Sequence, residues 1–129
     1  MIVVGWFGVG KTTFIETHPE ADAVDLNSFT GRTSDIVEKC SGHRYLLADP
    51  NLVPALKPPY VVVVPAISRK QEFLEIYRHR KGRCGHGPEF ARLRDLDWEK
   101  RITELMNIPG TRTIILEEGQ FLSDVIDKL

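Results

Sequence analysis

Gly5-Trp6-Phe7-Gly8-Val9-Gly10-Lys11-Thr12 follows the spacing G-x-x-x-x-G-K-[ST], a pattern whose chemistry is the holding of a polyphosphate. Glycines let the backbone N–H groups of such a loop turn inward around phosphate oxygens, and a helix opening at Lys11 adds the positive end of its dipole. The Lys11 ammonium is expected to reach the β- and γ-phosphates of a nucleoside triphosphate, and the Thr12 hydroxyl to ligate magnesium. Gly5, Gly8, Val9, Gly10 and Thr13 complete the expected contact set. Trp6 and Phe7 are large for this position and must point away from the phosphates. The expectation is that one packs on the sheet and the other walls an acceptor site.

What is done with the triphosphate depends on the other charged groups. Hydrolytic switches and motors pair the loop with an Asp or Asp-Glu closing a later strand. Here the apolar run from Tyr60 to Val64 ends in Pro65-Ala66, so that pairing is missing. Asp49, after Leu46-Leu47-Ala48, either holds magnesium through water or caps a short helix before Pro50. Asp25 closes Ala23-Val24 and admits three readings: a general base, a second magnesium ligand, or a helix cap. The first has a chemical reason, because a phosphate acceptor is already ionised whereas a hydroxyl acceptor gains from a carboxylate that takes its proton.

Transfer also needs positive charge around the moving phosphoryl group. Arg80 and Arg83, flanking Lys81-Gly82, are the candidates, with Arg78 behind them and a glycine-rich, lid-like loop at about 81–88 to carry them. Arg32 either orients an acceptor or lies on the surface. Gly119 and Gln120, after Glu117-Glu118, fall where backbone groups would read a donor adenine.

These residues need a scaffold, and the hydrophobic pattern supplies one. Apolar β-branched runs at 2–4, 23–26, 44–48, 60–64 and 113–116 read as strands. Helical spacing or capping residues place helices at 11–17, 33–39, 50–56, 69–80 (capped by Ser68), about 90–106 (bent near 95–97) and 119–129. The alternation predicts an α/β fold of three layers, a five-stranded parallel sheet with helices on both faces, and ligands at the carboxyl ends of the strands.

The chain has 129 residues, which suits one domain over 1–129. No apolar run approaches the roughly 20 residues of a membrane span, and no secretory signal is visible, so a cytoplasmic location is expected. Cys40 and Cys84 are expected as reduced thiols, and Cys84-Gly85-His86 lacks zinc-ligand spacing. Net charge is -1. Lysine and arginine nevertheless concentrate between Arg69 and Arg101, as Arg69, Lys70, Arg78, Arg80, Lys81, Arg83, Arg92, Arg94, Lys100 and Arg101. Such a run is either a solvated helix face or a contact for nucleic acid.

Taken together, the glycine loop, Asp25, the run from Tyr60 to Pro65, Tyr77-Arg78-His79-Arg80, Trp98 and the closing Gly119 to Ile126 resemble the small P-loop kinases of bacteriophages. These sit within the nucleoside and nucleotide kinase superfamily. The resemblance implies a P-loop kinase fold, ATP and magnesium. It leaves two acceptors: the hydroxymethyl group of 5-hydroxymethyluracil in phage DNA, or a free deoxynucleoside monophosphate. Asp25 and the short stretch at 27–43, too small for a large acceptor-covering domain, favour the hydroxyl. A nucleotide-binding module that transfers nothing is the third possibility, and the oligomeric state stays open.

Overall fold

A computed structural model describes residues 1–79 and 87–129. Five strands, β1 (Ile2–Gly5), β2 (Ala23–Asp25), β3 (Tyr45–Ala48), β4 (Tyr60–Pro65) and β5 (Thr111–Leu116), form one sheet in the order β2-β3-β1-β4-β5. Every pairing is parallel. All residues of β3 and β4 are buried, as are all of β1 after Ile2. Successive side chains point to opposite faces, so burial at every position means that both faces are covered.

The covers are helical. Helix α1 (Lys11–Thr17) packs on β2, and α2 (Thr33–Lys39) follows that strand. Helices α3 (Lys70–His79) and α4 (Pro88–Met106) pair with each other, and α4 lies along β4 and β5. The short α5 (Leu122–Val125) returns to α1. The result is a three-layer α/β arrangement. The chain leaves β1 towards β2 and leaves β4 in the other direction towards β5, so their carboxyl ends border the crevice where such sheets take ligands.

Several expected elements differ in detail. Residues 50–55 form a 3-10 turn interrupted by Pro54, which has no N–H to donate. Ser68 is no cap: the chain enters α3 through a 3-10 turn, Ile67–Arg69, whose preceding residue, Ala66, offers no capping side chain. Helix α4 runs without interruption through 95–97. Its buried line is Ala91, Arg94, Trp98, Ile102 and Leu105, while Leu93 and Leu96 face solvent. The closing helix is only α5, followed by a 3-10 turn at Ile126–Lys128. Of the expected loop at 81–88, residues 81–86 lie outside the described residues, and Pro88 already belongs to α4.

Candidate functional site

The glycine loop joins β1 to α1 at the crevice. Its entry is pinned by Trp6 N–H donating to the Val63 carbonyl of β4 (2.9 Å), and its middle by Leu122 N–H donating to the Val9 carbonyl (2.8 Å). Between them, Val9 N–H closes back on the Trp6 carbonyl (3.2 Å). Two positions demand glycine, because Gly8 and Gly10 have φ of 88° and 99°, a region costly for residues with a Cβ. Gly5 is required for room: a Cβ there would sit 2.8 Å from Val9 Cγ2.

Lys11 opens α1, and its ammonium donates to the Gly5 carbonyl at 2.9 Å and the Trp6 carbonyl at 3.5 Å. The cation therefore lies against the loop's own carbonyls. Thr12 is half-buried beside it and Thr13 is exposed.

Trp6 and Phe7 depart from expectation together. Both are buried, so neither walls an open acceptor site. The Trp6 ring meets Trp98 edge-on at 5.6 Å, and Phe7 meets Phe90 edge-on at 5.1 Å. Trp6 Nε1 donates to the Tyr77 hydroxyl (2.8 Å), which donates to the Phe7 carbonyl (2.6 Å). Burying two aromatic rings outweighs exposing one, and the indole N–H finds the partner that a buried tryptophan requires.

Asp25 and Asp49 close neighbouring strands, with Asp25 in register with Leu47 of β3. Asp25 Oδ1 accepts from Asn27 N–H (3.0 Å) and Asp49 Oδ1 from Asn51 N–H (2.9 Å), so each caps the 3-10 turn that follows it. Asn27 ties the strand ends together by accepting from Asp49 N–H at 2.9 Å. The second oxygen of Asp25 accepts no hydrogen bond among the described residues. No three acidic, imidazole or thiol groups converge on a metal position among those residues. A divalent ion here would be completed by phosphate and water oxygens, as suits magnesium.

At the end of β5, the turn at 117–120 is closed by Gln120 N–H to the Glu117 carbonyl and by Glu117 N–H to Gln120 Oε1, both 2.9 Å. Gly119 supplies the positive φ, 80°. Arg69, which sequence reasoning had counted only as surface charge, is 4% exposed and holds this turn from below. Its Nη1 donates to the carbonyls of Glu117 (2.9 Å) and Gln120 (2.7 Å), while Nε and Nη2 fork onto Glu72. The guanidinium lies about 5 Å from the Phe73 and Phe121 rings. The hydrogen bond from Arg69 holds the Glu72 carboxyl below its ordinary range. The same turn leads into Phe121-Leu122, which abuts Gly10 and Val9, so Gly119 and Gln120 immediately precede the residues that touch the loop.

Part of the basic stretch is taken up within the fold, and part forms ion pairs at the surface. Arg94 is buried against the Phe7 and Phe90 rings and paired with the half-buried Asp97, and burial lowers its pKa. Lys70 pairs with Asp95, Arg78 with Glu75 and Arg92 with Glu89. Lys100 is exposed, Arg101 partly so, and Arg32 is exposed at the start of α2. Arg80, Lys81 and Arg83 lie outside the described residues, as does Cys84, whereas Cys40 is buried as a free thiol.

An apolar cleft of about 630 Å³, lined by Met1, Tyr60, Thr111 and Leu129, sits where β4 and β5 begin, at the opposite end of the strands from the loop. Among the described residues, no helix is long and apolar enough to cross a membrane. Neither a protein-family model nor a curated protein sequence matches this chain.

Proposed function

We propose that the chain is an ATP-dependent phosphotransferase of the P-loop kinase type. The observation that carries this reading is the loop itself: Gly8 and Gly10 at positive φ, between a buried strand and a helix whose first residue, Lys11, folds its ammonium onto the loop. The resemblance to small bacteriophage kinases supports ATP as donor. Magnesium, with Thr12 and phosphate oxygens as ligands and Asp49 acting through water, would neutralise charge on the phosphates.

The acceptor is read as a hydroxyl, with the hydroxymethyl group of 5-hydroxymethyluracil in DNA as the first choice. Asp25 stands at a strand end with one carboxylate oxygen uncommitted among the described residues. In the transfer, that oxygen takes the hydroxyl proton, the acceptor oxygen bonds to the γ-phosphorus, and ADP leaves with the former bridging oxygen. Arg80 and Arg83 remain the candidates for charge on the moving group.

A second reading, a free deoxynucleoside monophosphate as acceptor, has one observation in its favour. Arg69 and Arg94 are buried, and Lys70, Arg78 and Arg92 sit beside carboxylates at the surface, which leaves less net positive charge for a DNA backbone than the sequence suggested. The deciding experiment incubates the protein with γ-labelled ATP and separate samples of hydroxymethyluracil DNA, ordinary DNA and free deoxynucleotides, with Lys11→Ala alongside. Label on hydroxymethyluracil DNA alone supports the first choice, and label on a monophosphate alone reverses the order. ATP binding without labelling of any acceptor leaves a nucleotide-binding module. Full transfer by the Lys11→Ala protein would overturn the kinase reading.

A further inference from the structure

We infer that Tyr77 is a positioning residue for the phosphate loop, whose hydroxyl turns the Phe7 carbonyl into the core and so aims the Gly8 N–H at a bound phosphate. This rests on the loop's being a phosphate site, as proposed above.

An indole N–H only donates, so the 2.8 Å contact from Trp6 Nε1 makes the Tyr77 oxygen an acceptor. The hydroxyl's single proton is thereby committed to the Phe7 carbonyl, 2.6 Å away. All three residues are buried, Trp6 and Tyr77 completely, so water does not compete for these groups.

Peptide geometry carries the effect into the loop. Across a trans peptide the C=O and the following N–H point in opposite directions. With the Phe7 carbonyl held towards α3, the Gly8 N–H must point away from α3. It donates to no acceptor among the described residues, although backbone donors of native proteins are nearly always paired. A phosphate oxygen is the partner that the motif supplies. Contact reinforces the placement: a Cβ on Gly8 would lie 3.1 Å from Tyr77 Cε1, so the Gly8 backbone rests on the tyrosine ring. The backbone carbonyl of Tyr77 also accepts from Gly87 N–H at 2.9 Å, which fixes the end of α3 to the start of α4.

The test is ATP affinity, measured by calorimetry in the presence of magnesium, for wild type, Tyr77→Phe and Ile102→Val. Tyr77→Phe keeps the ring and removes only the hydroxyl. A hydrogen bond to a charged group is the interaction at stake, so affinity should fall roughly 10- to 100-fold. Ile102→Val, a truncation of a buried core residue of α4 whose side chain makes none of the loop hydrogen bonds, controls for instability and should keep wild-type affinity. Equal affinity of Tyr77→Phe and wild type overturns the inference, as does an equal loss in both variants. An independent measurement follows the Gly8 amide proton of wild type by NMR: it should move downfield as ATP is added, and a stationary resonance at saturation also overturns the inference. Wild type that binds no ATP would instead refute the phosphate-site reading.

Discussion

Replacing Arg69 with methionine removes the charge and keeps a chain of similar length, and the structure sets the size of the effect. Two hydrogen bonds beneath the turn at 117–120 are lost, one to the Gln120 carbonyl and one to the Glu117 carbonyl, which keeps the Gln120 N–H, at about 1 kcal/mol each. Two cation–ring contacts, to Phe73 and Phe121, disappear, at roughly 0.5 kcal/mol each when methionine regains part of the packing. Glu72 contributes little, because its side chain is 42% exposed and rehydrates once released. The total is about 3 kcal/mol, which for a domain of this size lowers the melting temperature by roughly 10 °C. Urea unfolding followed by circular dichroism measures it, with an unchanged m-value as the sign that only stability moved. A loss below about 1 kcal/mol would refute the argument that this guanidinium, rather than the surrounding apolar contacts, holds the turn.

Asp25→Asn retains an acceptor for the Asn27 N–H, so stability should stay within about 0.5 kcal/mol while phosphoryl transfer falls on the order of 100-fold; unchanged turnover would leave Asp25 as a cap alone. Gly8→Ala combines a φ of 88° with a Cβ 3.1 Å from the Tyr77 ring, and should cost about 2 kcal/mol in chemical denaturation. Acid should weaken the protein partly through Glu72, whose pKa is lowered by the hydrogen bond from Arg69. Because the folded value lies below the unfolded one, the pair stabilises above the ordinary glutamate range and its contribution is lost as pH falls through the lowered value. Glu72→Gln should therefore flatten the acid limb of a stability–pH curve slightly, in keeping with the exposure of its side chain, and an unaltered limb would show that the pair is not linked to folding.

The strand order could not be read from the sequence, but the strands themselves could, because β-branched runs such as Ile2-Val3-Val4 and Val61 to Val64 have few alternatives once glycine and proline bound them. The bounds of α1 were legible for the same reason, with Gly10-Lys11 at one end and Pro19 beyond the other. Periodicity misled on α4. Helical spacing groups Leu93 and Leu96 with Phe90 and Trp98 on one apolar face, whereas Arg94 takes the buried position between the Phe7 and Phe90 rings. A guanidinium that stacks on aromatic faces can occupy a core line that a hydrophobicity pattern reserves for leucine. Of the candidate site, Lys11, Thr12, Asp25, Asp49, Gly119 and Gln120 all gather at the carboxyl ends of the strands. What sequence reasoning missed is the support beneath them, Arg69 and Tyr77. Each acts on residues about 50 to 70 positions away, and no local signal marks such a partner, although an adjacent Trp-Phe pair inside a glycine loop already called for one.

Glycine-rich loops are commonly pictured as strips of backbone free to adjust, but here the strip carries two of the core's own rings. Amide exchange turns that into an observable. The N–H groups of Trp6 and Val9 bond within the chain, and the N–H of Leu122 bonds to Val9. To expose them, Trp6 and Phe7 must leave the core, a rearrangement close to unfolding the whole domain. Their exchange should therefore track global opening, alongside the amides of β1 and β4, instead of the faster local opening of surface turns. In such a protein, releasing the glycine loop and losing the fold are nearly the same event.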